Sequence, residues 1–266
     1  MGLENYKTLF TQGDIWIYAK NTMILWIMCF VPQIILSLLL GAWFSDVRLK
    51  LKGSRFFKTV IYLPNLIMAS AFSMLFFTLF AESGPINSLL IQMGFITEPY
   101  KFLSNVGSTR GLIAFMNCLM WFGNTTLLLI SGVLGIDRDF SRLLILMVQQ
   151  AGKKFRYITL PLLKPIMLYT LVTSAIGGLQ MYDIPALFNV PETGLVGLPD
   201  DKTTTMAMYI MRLYNSDVGK AAAVSVVLFI ITLVVSLILF ATMSDSEDRR
   251  MKKSRNSVER QVEDHE

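Results

Sequence analysis

Five long apolar blocks constrain this 266-residue chain more than any other feature of its sequence. Each has roughly 20 or more residues, the length that a helix needs to cross the hydrocarbon core of a bilayer. The blocks cover about residues 17–45, 59–81, 112–136, 158–180 and 218–243. Because backbone groups in lipid must find their hydrogen bonds within their own segment, the blocks predict helices. We therefore expect an all-α integral membrane fold with five transmembrane helices.

Composition argues against several other classes of protein. Apolar residues make up 53% of the chain and are concentrated in the blocks, which excludes an ordinary water-soluble enzyme. The single histidine, His265, leaves no material for a histidine metal centre or a catalytic triad. Cys29 and Cys118 lie inside apolar blocks and are interpreted as small buried hydrophobic residues. We predict no metal site and no catalytic residue in this chain.

The basic residues predict which ends of the helices face the cytoplasm. They are concentrated in residues 48–58, 138–164 and 249–260, which lie on one side of the membrane if all five blocks span it. By the positive-inside rule that side is cytoplasmic. Residues 1–16 are then an external stretch, residues 17–243 the membrane domain and residues 244–266 a charged cytoplasmic tail, expected to be disordered. An external start without a signal-peptide pattern favours an earlier transmembrane helix that this sequence lacks.

A polar face on the third block is a candidate for contact with a transported molecule. Asn117, Trp121 and Asn124 lie at positions i, i+4 and i+7, so they share one side of a helix. Polar residues at membrane depth usually face the bundle interior, where they line a cavity or bond to neighbouring helices. The spacing alone allows either a pathway or interhelical hydrogen bonds with an interfacial tryptophan.

The fourth block carries a stripe of small and polar residues near its outer end. Small residues at the spacing of Thr170, Thr173 and Gly177 are typical of close helix packing. Further polar positions follow towards Pro185, a natural helix break. These positions are Ser174, Gly178, Gln180, Tyr182 and Asp183. Asp183 is also interpreted as a helix cap or an ion-pair partner.

Several motifs, in order along the chain, resemble one family of membrane proteins. The motif FRYITLPLLKP (155–165) is similar to the end of the coupling loop in ABC importer permeases. Five other stretches resemble landmarks of maltose-type and glycerol-phosphate-type permeases. They are GLENYKTLF (2–10), NTMILWIMCFVPQIILSLLLG (21–41), KGSRFFKTVIYLPNLI (52–67), WFGNTTLLLISGVLGI (121–136) and LYNSDVGKAAAVSVVLF (213–229). The chain thus resembles the membrane-spanning subunit of a binding-protein-dependent sugar ABC importer with a type I core, without the family's first helix.

The resemblance implies a transport subunit in a bacterial inner (plasma) membrane, with several spans and no enzymatic activity of its own. It implies four kinds of partner: a second permease subunit, an ATP-binding cassette ATPase, an extracytoplasmic sugar-binding protein and a sugar. The chain contains no G-x-x-x-x-G-K-[ST] motif, so ATP would be used by the partner ATPase and no cofactor by this chain. It further implies that the Trp-x-Gly neighbourhood lines the pathway, because an aromatic ring beside amide groups suits a sugar. The implied pathway residues are Asn117, Trp121, Gly123, Asn124, Ser174, Gly178, Gln180, Tyr182 and Asp183.

The coupling loop, about residues 136–157, departs from the family pattern. The family's Glu-Ala-Ala and Asp-Gly-Ala should fall on two triplets that match at none of the six positions. These triplets are Arg142, Leu143 and Leu144, and Met147, Val148 and Gln149; Phe155 and Arg156 complete the expected ATPase contact. Either the loop docks through a more apolar surface, or coupling to ATP hydrolysis is impaired.

Two other classes of function remain open from the sequence. A secondary transporter or channel-like protein would work alone, and buried acidic residues in mid-span, which would favour it, are missing from the sequence. An uncoupled permease variant or a membrane scaffold would explain the altered loop. The sequence does not identify the sugar, and glycerol phosphate also fits the resemblance.

Overall fold

The computed structural model describes residues 3–11, 14–45, 53–135, 160, 163–188, 197 and 199–263. Within these ranges the regular structure is helical, which confirms the all-α expectation. The α-helices are α1 (Glu4–Thr11), α2 (Asp14–Ser45), α3 (Ser54–Tyr62), α4 (Ala69–Phe80), α5 (Pro85–Gln92), α6 (Val106–Gly135), α7 (Lys164–Leu179), α8 (Asp183–Phe188), α9 (Met206–Tyr214) and α10 (Val218–Glu263). Two 3-10 turns, Leu63–Leu66 and Phe102–Ser104, connect them.

Among the described residues, four helical segments are long and apolar enough to cross a membrane. They are Ile15–Phe44, Ala69–Gln92, Val106–Val133 and Val218–Thr242. They correspond to the first, second, third and fifth apolar blocks of the sequence. The described helix of the fourth block, α7, has 16 residues and is too short by itself to count among the four.

The second apolar block does not form the single helix that its length predicts. Helix α3 ends at Tyr62, a 3-10 turn with Pro64 in its first positions follows, and α4 begins at Ala69. Proline lacks a backbone N–H and its ring clashes with the preceding turn of an α-helix, so the helix stops there. The apolar segment that is long enough to span is displaced to Ala69–Gln92.

Helices α2, α6 and α7 form the centre of the bundle. Contacts near both ends of α2 and α6 show that the two helices run parallel: Arg110 Nη2 donates to Asn21 Oδ1 at 2.7 Å, and a Cβ atom at Gly41 would lie 3.3 Å from Leu129 Cβ. Helix α7 runs antiparallel to α6, since Ile166 packs on Gly132 near one end. The C-terminal ends of α2 and α6 and the N-terminal end of α7 therefore lie at the same end of the bundle, and its cytoplasmic orientation stays a prediction.

Three buried apolar clusters hold these helices together. One joins α1 and the start of α2 to α9 and α10, around Tyr18 and Val224. The second packs α4 and α8 against α2 and α6, with Phe76 and Phe188 at its centre. The third is small, with Trp26 and its neighbours on α7 and α10. Because the clusters leave the middle of α2, α6 and α7 incompletely packed, space remains there for a cavity.

The last helix extends from the fifth apolar block into the charged tail. Helix α10 continues without interruption to Glu263, so residues 244–263 are helical. Acidic residues precede basic residues by four positions at Asp245 and Arg249 and again at Asp248 and Lys252, the orientation that supports a helix. At 1.5 Å per residue the helix extends about 30 Å beyond the apolar span.

Candidate functional site

A cavity of about 510 Å³ lies between α2, α6, α7 and the short break before α8. Its volume is within the range of about 300–1,000 Å³ that is typical of small-molecule sites. Helical spacing places one side of each helix towards it. The residues that line it are Trp26, Cys29, Gln33, Ala69, Asn117, Met120, Trp121, Asn124, Thr125, Leu128, Tyr169, Thr170, Thr173, Ser174, Gly177, Gly178, Gln180, Met181, Tyr182, Asp183 and Ile184.

The structure brings eight of the nine predicted pathway residues to this one cavity. The eight are Asn117, Trp121, Asn124, Ser174, Gly178, Gln180, Tyr182 and Asp183. They come from α6, from α7 and from the break between α7 and α8, although the sequence separates the two groups by about 50 residues. Their contact with a substrate stays a prediction.

Gly123 does not line this cavity but lies in a close helix contact, and its role in the pathway stays a prediction. A Cβ atom at Gly123 would lie 2.2 Å from the Ile61 carbonyl oxygen. The glycine therefore lets α6 approach the backbone at the end of α3. Its neighbour in the Trp-x-Gly motif, Trp121, lies on the other side of the helix and lines the cavity.

The polar face of α6 carries two amide side chains, one of which is hydrogen-bonded to described residues while the other is not. Asn117 is buried; its Nδ2 donates to the Ile113 carbonyl at 3.0 Å and contacts Met181 Sδ at 3.6 Å. Asn124 is exposed and has no hydrogen-bond partner among the described residues. Trp121, between them, is 50% exposed. Asn124 and Trp121 are thus the members of this face that are available to a ligand.

The indole ring of Trp26 on α2 packs against Ser174 and Gly178, two residues that the sequence predicted to contact substrate. Its Nε1 donates to Ser174 Oγ at 3.2 Å. A Cβ atom at Gly178 would lie 2.0 Å from Trp26 Cδ1, so only glycine admits the ring there. The ring also stacks on Phe30, with centroids 5.9 Å apart. Ser174 and Gly178 therefore position Trp26 at the wall of the cavity.

The break between α7 and α8 presents consecutive side chains to the cavity. Helix α7 ends at Leu179 and α8 begins at Asp183. Thr205 Oγ1 donates to the Met181 carbonyl at 2.8 Å and fixes the break to the segment before α9. In the part of the chain that the structure describes, the side chains of Gln180, Tyr182 and Asp183 form no hydrogen bond or ion pair. They remain available to a bound molecule.

The sequence did not predict that α2 contributes to the cavity, and it predicted only part of the contribution of α7. Trp26 and Gln33 lie seven residues apart on one face of α2, and a glutamine in an apolar block was a usable signal. Tyr169 of α7 is 58% exposed and gave no such signal, because tyrosine is common at membrane interfaces. Thr173 and Gly177 were assigned to close packing, but both line the cavity, and a Cβ at Gly177 would meet nothing within 4 Å.

A separate polar network joins the helices at the predicted outer end of the bundle. Arg212 Nη1 donates to Asp201 Oδ2 at 3.0 Å, and Arg212 Nη2 donates to the Tyr18 hydroxyl. Thr204 Oγ1 donates to Asp201 Oδ1 at 2.6 Å. Burial would raise the pKa of Asp201, but the hydrogen bonds from Thr204, Arg212 and Tyr18 and the charge of Arg212 hold it below its ordinary value. The network fixes the segment before α9 on α2.

The same network extends to α6 through Arg110. Its Nη2 donates to Asn21 Oδ1 at 2.7 Å and to the Lys202 carbonyl at 2.7 Å. Asn21 Nδ2 in turn donates to the Asp201 carbonyl at 3.0 Å. Because Thr205 belongs to this segment, the network also sets the position of the α7–α8 break.

Comparison with known proteins identifies the family. Residues 22–253 match the family described as the binding-protein-dependent transport system inner membrane component. The chain belongs to that family. It is an inner-membrane transport permease, and its relatives are transport subunits rather than enzymes.

Curated relatives and a solved structure resemble this permease over most of its length. The lactose transport system permease protein LacF of Rhizobium radiobacter is 27% identical, over 94% of this chain and 82% of the relative. The arabinooligosaccharides transport system permease protein AraP of Bacillus subtilis (strain 168) is 28% identical, over 90% and 74% respectively. A crystal structure of a bacterial ABC transporter for the acidic polysaccharide alginate aligns with a TM-score of 0.80 at 20% identity, covering 92% of this chain and 84% of the other. That likeness establishes the fold of a type I ABC importer permease.

The permease's coupling-loop residues lie outside the part that the structure describes. They are Arg142, Leu143, Leu144, Met147, Val148, Gln149, Phe155 and Arg156. Within the described part, no group of three His, Cys, Asp or Glu side chains is arranged to hold a metal ion. The cavity is therefore the candidate functional site in the described part of the chain.

Proposed function

We propose that this permease forms half of the translocation pathway of an ATP-driven saccharide importer, and that the cavity is part of that pathway. The main support is that aromatic rings and uncharged polar groups converge on one open cavity at membrane depth. Saccharides present apolar C–H faces, which stack on aromatic rings, and hydroxyl groups, which bond to amides. The lactose and arabinooligosaccharide systems of the relatives agree with this class of substrate.

Five side chains are proposed to contact the saccharide. Trp121 would stack on a sugar face, and the Asn124 and Gln180 amides would bond to hydroxyl groups. Tyr182 and Asp183, at the α7–α8 break, would complete the contact. All five line the cavity, and none of the five side chains forms a hydrogen bond with another described residue.

The importer would be completed by other chains. A second permease subunit would close the open side of the cavity, and an extracytoplasmic binding protein would deliver the saccharide. ATP would be bound and hydrolysed by a separate cassette ATPase that docks on residues 136–157, with no cofactor in this chain. The family description, which specifies dependence on a binding protein, and the missing phosphate-loop motif support this division of roles.

The transport step would be an alternation of access rather than covalent chemistry. Closure of the ATPases would move the coupling loops and tilt the helices that they contact. Helix α7 follows directly after the loop and carries cavity residues along one side, so its movement would change the cavity. ATP binding can favour one orientation only to the extent that the assembly binds ATP more tightly in that state.

Reconstitution of the purified assembly tests this proposal. The permease is tagged, purified with the proteins that accompany it, and placed in proteoliposomes loaded with ATP, where uptake of labelled oligosaccharide is measured. Asn124→Ala and Trp121→Ala should lower ATP-dependent uptake, about tenfold for the loss of one or two hydrogen bonds or a stacking contact. Phe229→Ala, at a 63% exposed position on α10, is the control and should retain uptake. Uptake without ATP would instead indicate a secondary transporter.

A second candidate, an uncoupled permease or a membrane scaffold, is favoured by the six departures from the family pattern at residues 142–149. Absence of an ATPase from the purified assembly would support it. The variant that restores the pattern combines Arg142→Glu, Leu143→Ala, Leu144→Ala, Met147→Asp, Val148→Gly and Gln149→Ala. Recovery of ATPase binding in this variant would assign the defect to the loop. No change would show that another surface determines docking.

A further inference from the structure

The feature of the cavity that bears most on the choice of substrate is the charge of the residues that line it. Among the described residues that line it, Asp183 carries the one carboxylate, and none is Lys, Arg or His. The remaining polar groups are amides, hydroxyls and a thiol, none of which offers a fixed positive charge to an anion. The cavity therefore presents either neutral or negative groups to a molecule that enters it.

No described cation compensates this carboxylate. Asp183 is exposed in the open cavity and forms no ion pair among the described residues. The two arginines of the outer network are committed elsewhere, Arg212 to Asp201 and Arg110 to the Lys202 carbonyl. Lys101 pairs with Glu82 at 3.7 Å. An uncompensated charge in a cleft with apolar walls acts over a longer range than one on an open surface.

We propose that the cavity is selective for uncharged saccharides and excludes anionic ones, and that Asp183 is the specificity-determining residue. The inference rests on the proposed function, since it describes the substrate class of the same pathway. Uronic acids, sugar phosphates and sulfonated sugars would enter only against the field of Asp183 and would find no cation to pair with among the described lining residues. An uncharged oligosaccharide has no such barrier and can donate a hydroxyl to the carboxylate.

The tryptophans permit a direct measurement of this charge selectivity. Trp121 lines the cavity and is 50% exposed, so its fluorescence reports which solutes enter. The full chain is prepared with Trp16→Phe, Trp26→Phe and Trp43→Phe, placed in lipid nanodiscs, and titrated with iodide and with uncharged acrylamide at constant ionic strength. The ratio of the iodide to the acrylamide quenching constants measures anion access independently of steric access.

Asp183→Asn should raise this quenching ratio about two- to fivefold, the factor expected for one unit charge acting over several ångströms at intermediate dielectric. Asp183→Glu keeps the charge and should leave the ratio low. Glu82→Gln removes an exposed carboxylate that does not line the cavity, and should change nothing. An unchanged acrylamide constant shows that the variant retains the cavity.

A ratio that Asp183→Asn leaves unchanged would overturn the charge inference. If that variant does not fold, Gln180→Lys provides the alternative test, because adding a cation to the same cavity should raise the ratio as well. A parent protein in which iodide quenches as effectively as acrylamide would also overturn it.

A saccharide titration separates this inference from the proposed function. Maltopentaose and an oligogalacturonate of equal length are titrated on the same single-tryptophan chain. Binding of maltopentaose alone, with gain of oligogalacturonate binding in Asp183→Asn, supports both. Equal binding of the two by the parent contradicts charge selectivity and leaves the saccharide pathway standing. Iodide exclusion without binding of either saccharide contradicts the saccharide pathway and leaves charge selectivity standing.

Discussion

At the scale of single residues, adjacent positions on α7 have opposite surroundings. A Cβ at Gly178 would overlap the Trp26 ring, whereas a Cβ at Gly177 would enter open space. Successive residues of an α-helix differ by about 100° in direction, so neighbouring glycines can serve packing and cavity separately. This pair provides a test of the cavity wall in which both variants make the same chemical change.

Gly178→Ala should destabilise the permease by about 1–3 kcal/mol, because the added methyl group must displace a packed indole ring. Gly177→Ala should be neutral or slightly stabilising, since alanine is the better helix former and nothing lies within 4 Å. Denaturant titration of both variants in detergent micelles measures the difference in the free energy of unfolding. Equal stability of the two would show that Trp26 does not occupy the described position.

Sequence patterns predicted which residues of α6 and α7 share a face, but not what lies opposite that face. The spacing of Asn117, Trp121 and Asn124 follows from helical geometry alone. Gly178, rather than Gly177, is the packing residue because it faces Trp26, which is about 150 residues away in the sequence. A small-residue pattern is equally consistent with a neighbouring helix and with a cavity, because both need the side chain to be small.

At the scale of elements, two close contacts determine how the helices are arranged around the cavity. Gly123 brings α6 against the end of α3, and the network around Asp201 fixes the segment before α9. Both are contacts between segments far apart in the chain, so neither apolar periodicity nor helix propensity predicts them. The 3-10 turn at Pro64 is different, because a proline inside an apolar block is a visible signal for a break.

Gly123→Ala should destabilise the fold more than most methyl additions, by about 3 kcal/mol, because the contact is with the Ile61 backbone rather than with a movable side chain. Gly111→Ala on the same helix meets nothing within 4 Å and is the control. Thermal unfolding in detergent compares the two variants. A lower midpoint for Gly111→Ala than for Gly123→Ala would contradict this packing of α6.

Asp201 predicts a loss of stability in acid. Its pKa in the folded protein is lower than in the unfolded chain, so its contribution is present above the unfolded value of about 4 and disappears as the pH falls through the folded value. Asp201→Asn should cost about 1–2 kcal/mol at pH 7 and flatten this part of the acid dependence. Unfolding measured between pH 7 and pH 3 tests both effects.

The control for the Asp201 prediction is Glu82→Gln. Glu82 is 60% exposed in its pair with Lys101, and exposed pairs contribute little. An acid dependence that Asp201→Asn leaves unaltered would show that the network does not stabilise the outer end.

At the scale of the whole molecule, the long helices enclose a cavity that is open on one side, and we propose that it is one wall of a pathway. Composition predicted membrane embedding, and apolar block length predicted the long helices, because both depend on properties summed over many residues. Helix α10 extends into the charged tail, whose composition suits a solvated coil as well as a charged helix. The cavity itself required the structure, because residues of α2, α4, α6, α7 and α8 contribute to it.

If the cavity residues face the transported molecule in an ATP-driven cycle, as we propose, the accessibility of a thiol at position 124 should depend on saccharide and on ATP. Asn124→Cys is made with Cys29→Ser and Cys118→Ser, and the intact importer is labelled with a membrane-impermeant cationic thiol reagent. Phe229→Cys on α10 is the matched control. We predict that saccharide slows labelling at position 124 severalfold, that ATP with vanadate alters it, and that position 229 responds to neither. If labelling at position 124 responds to neither ligand, Asn124 does not face the transported molecule.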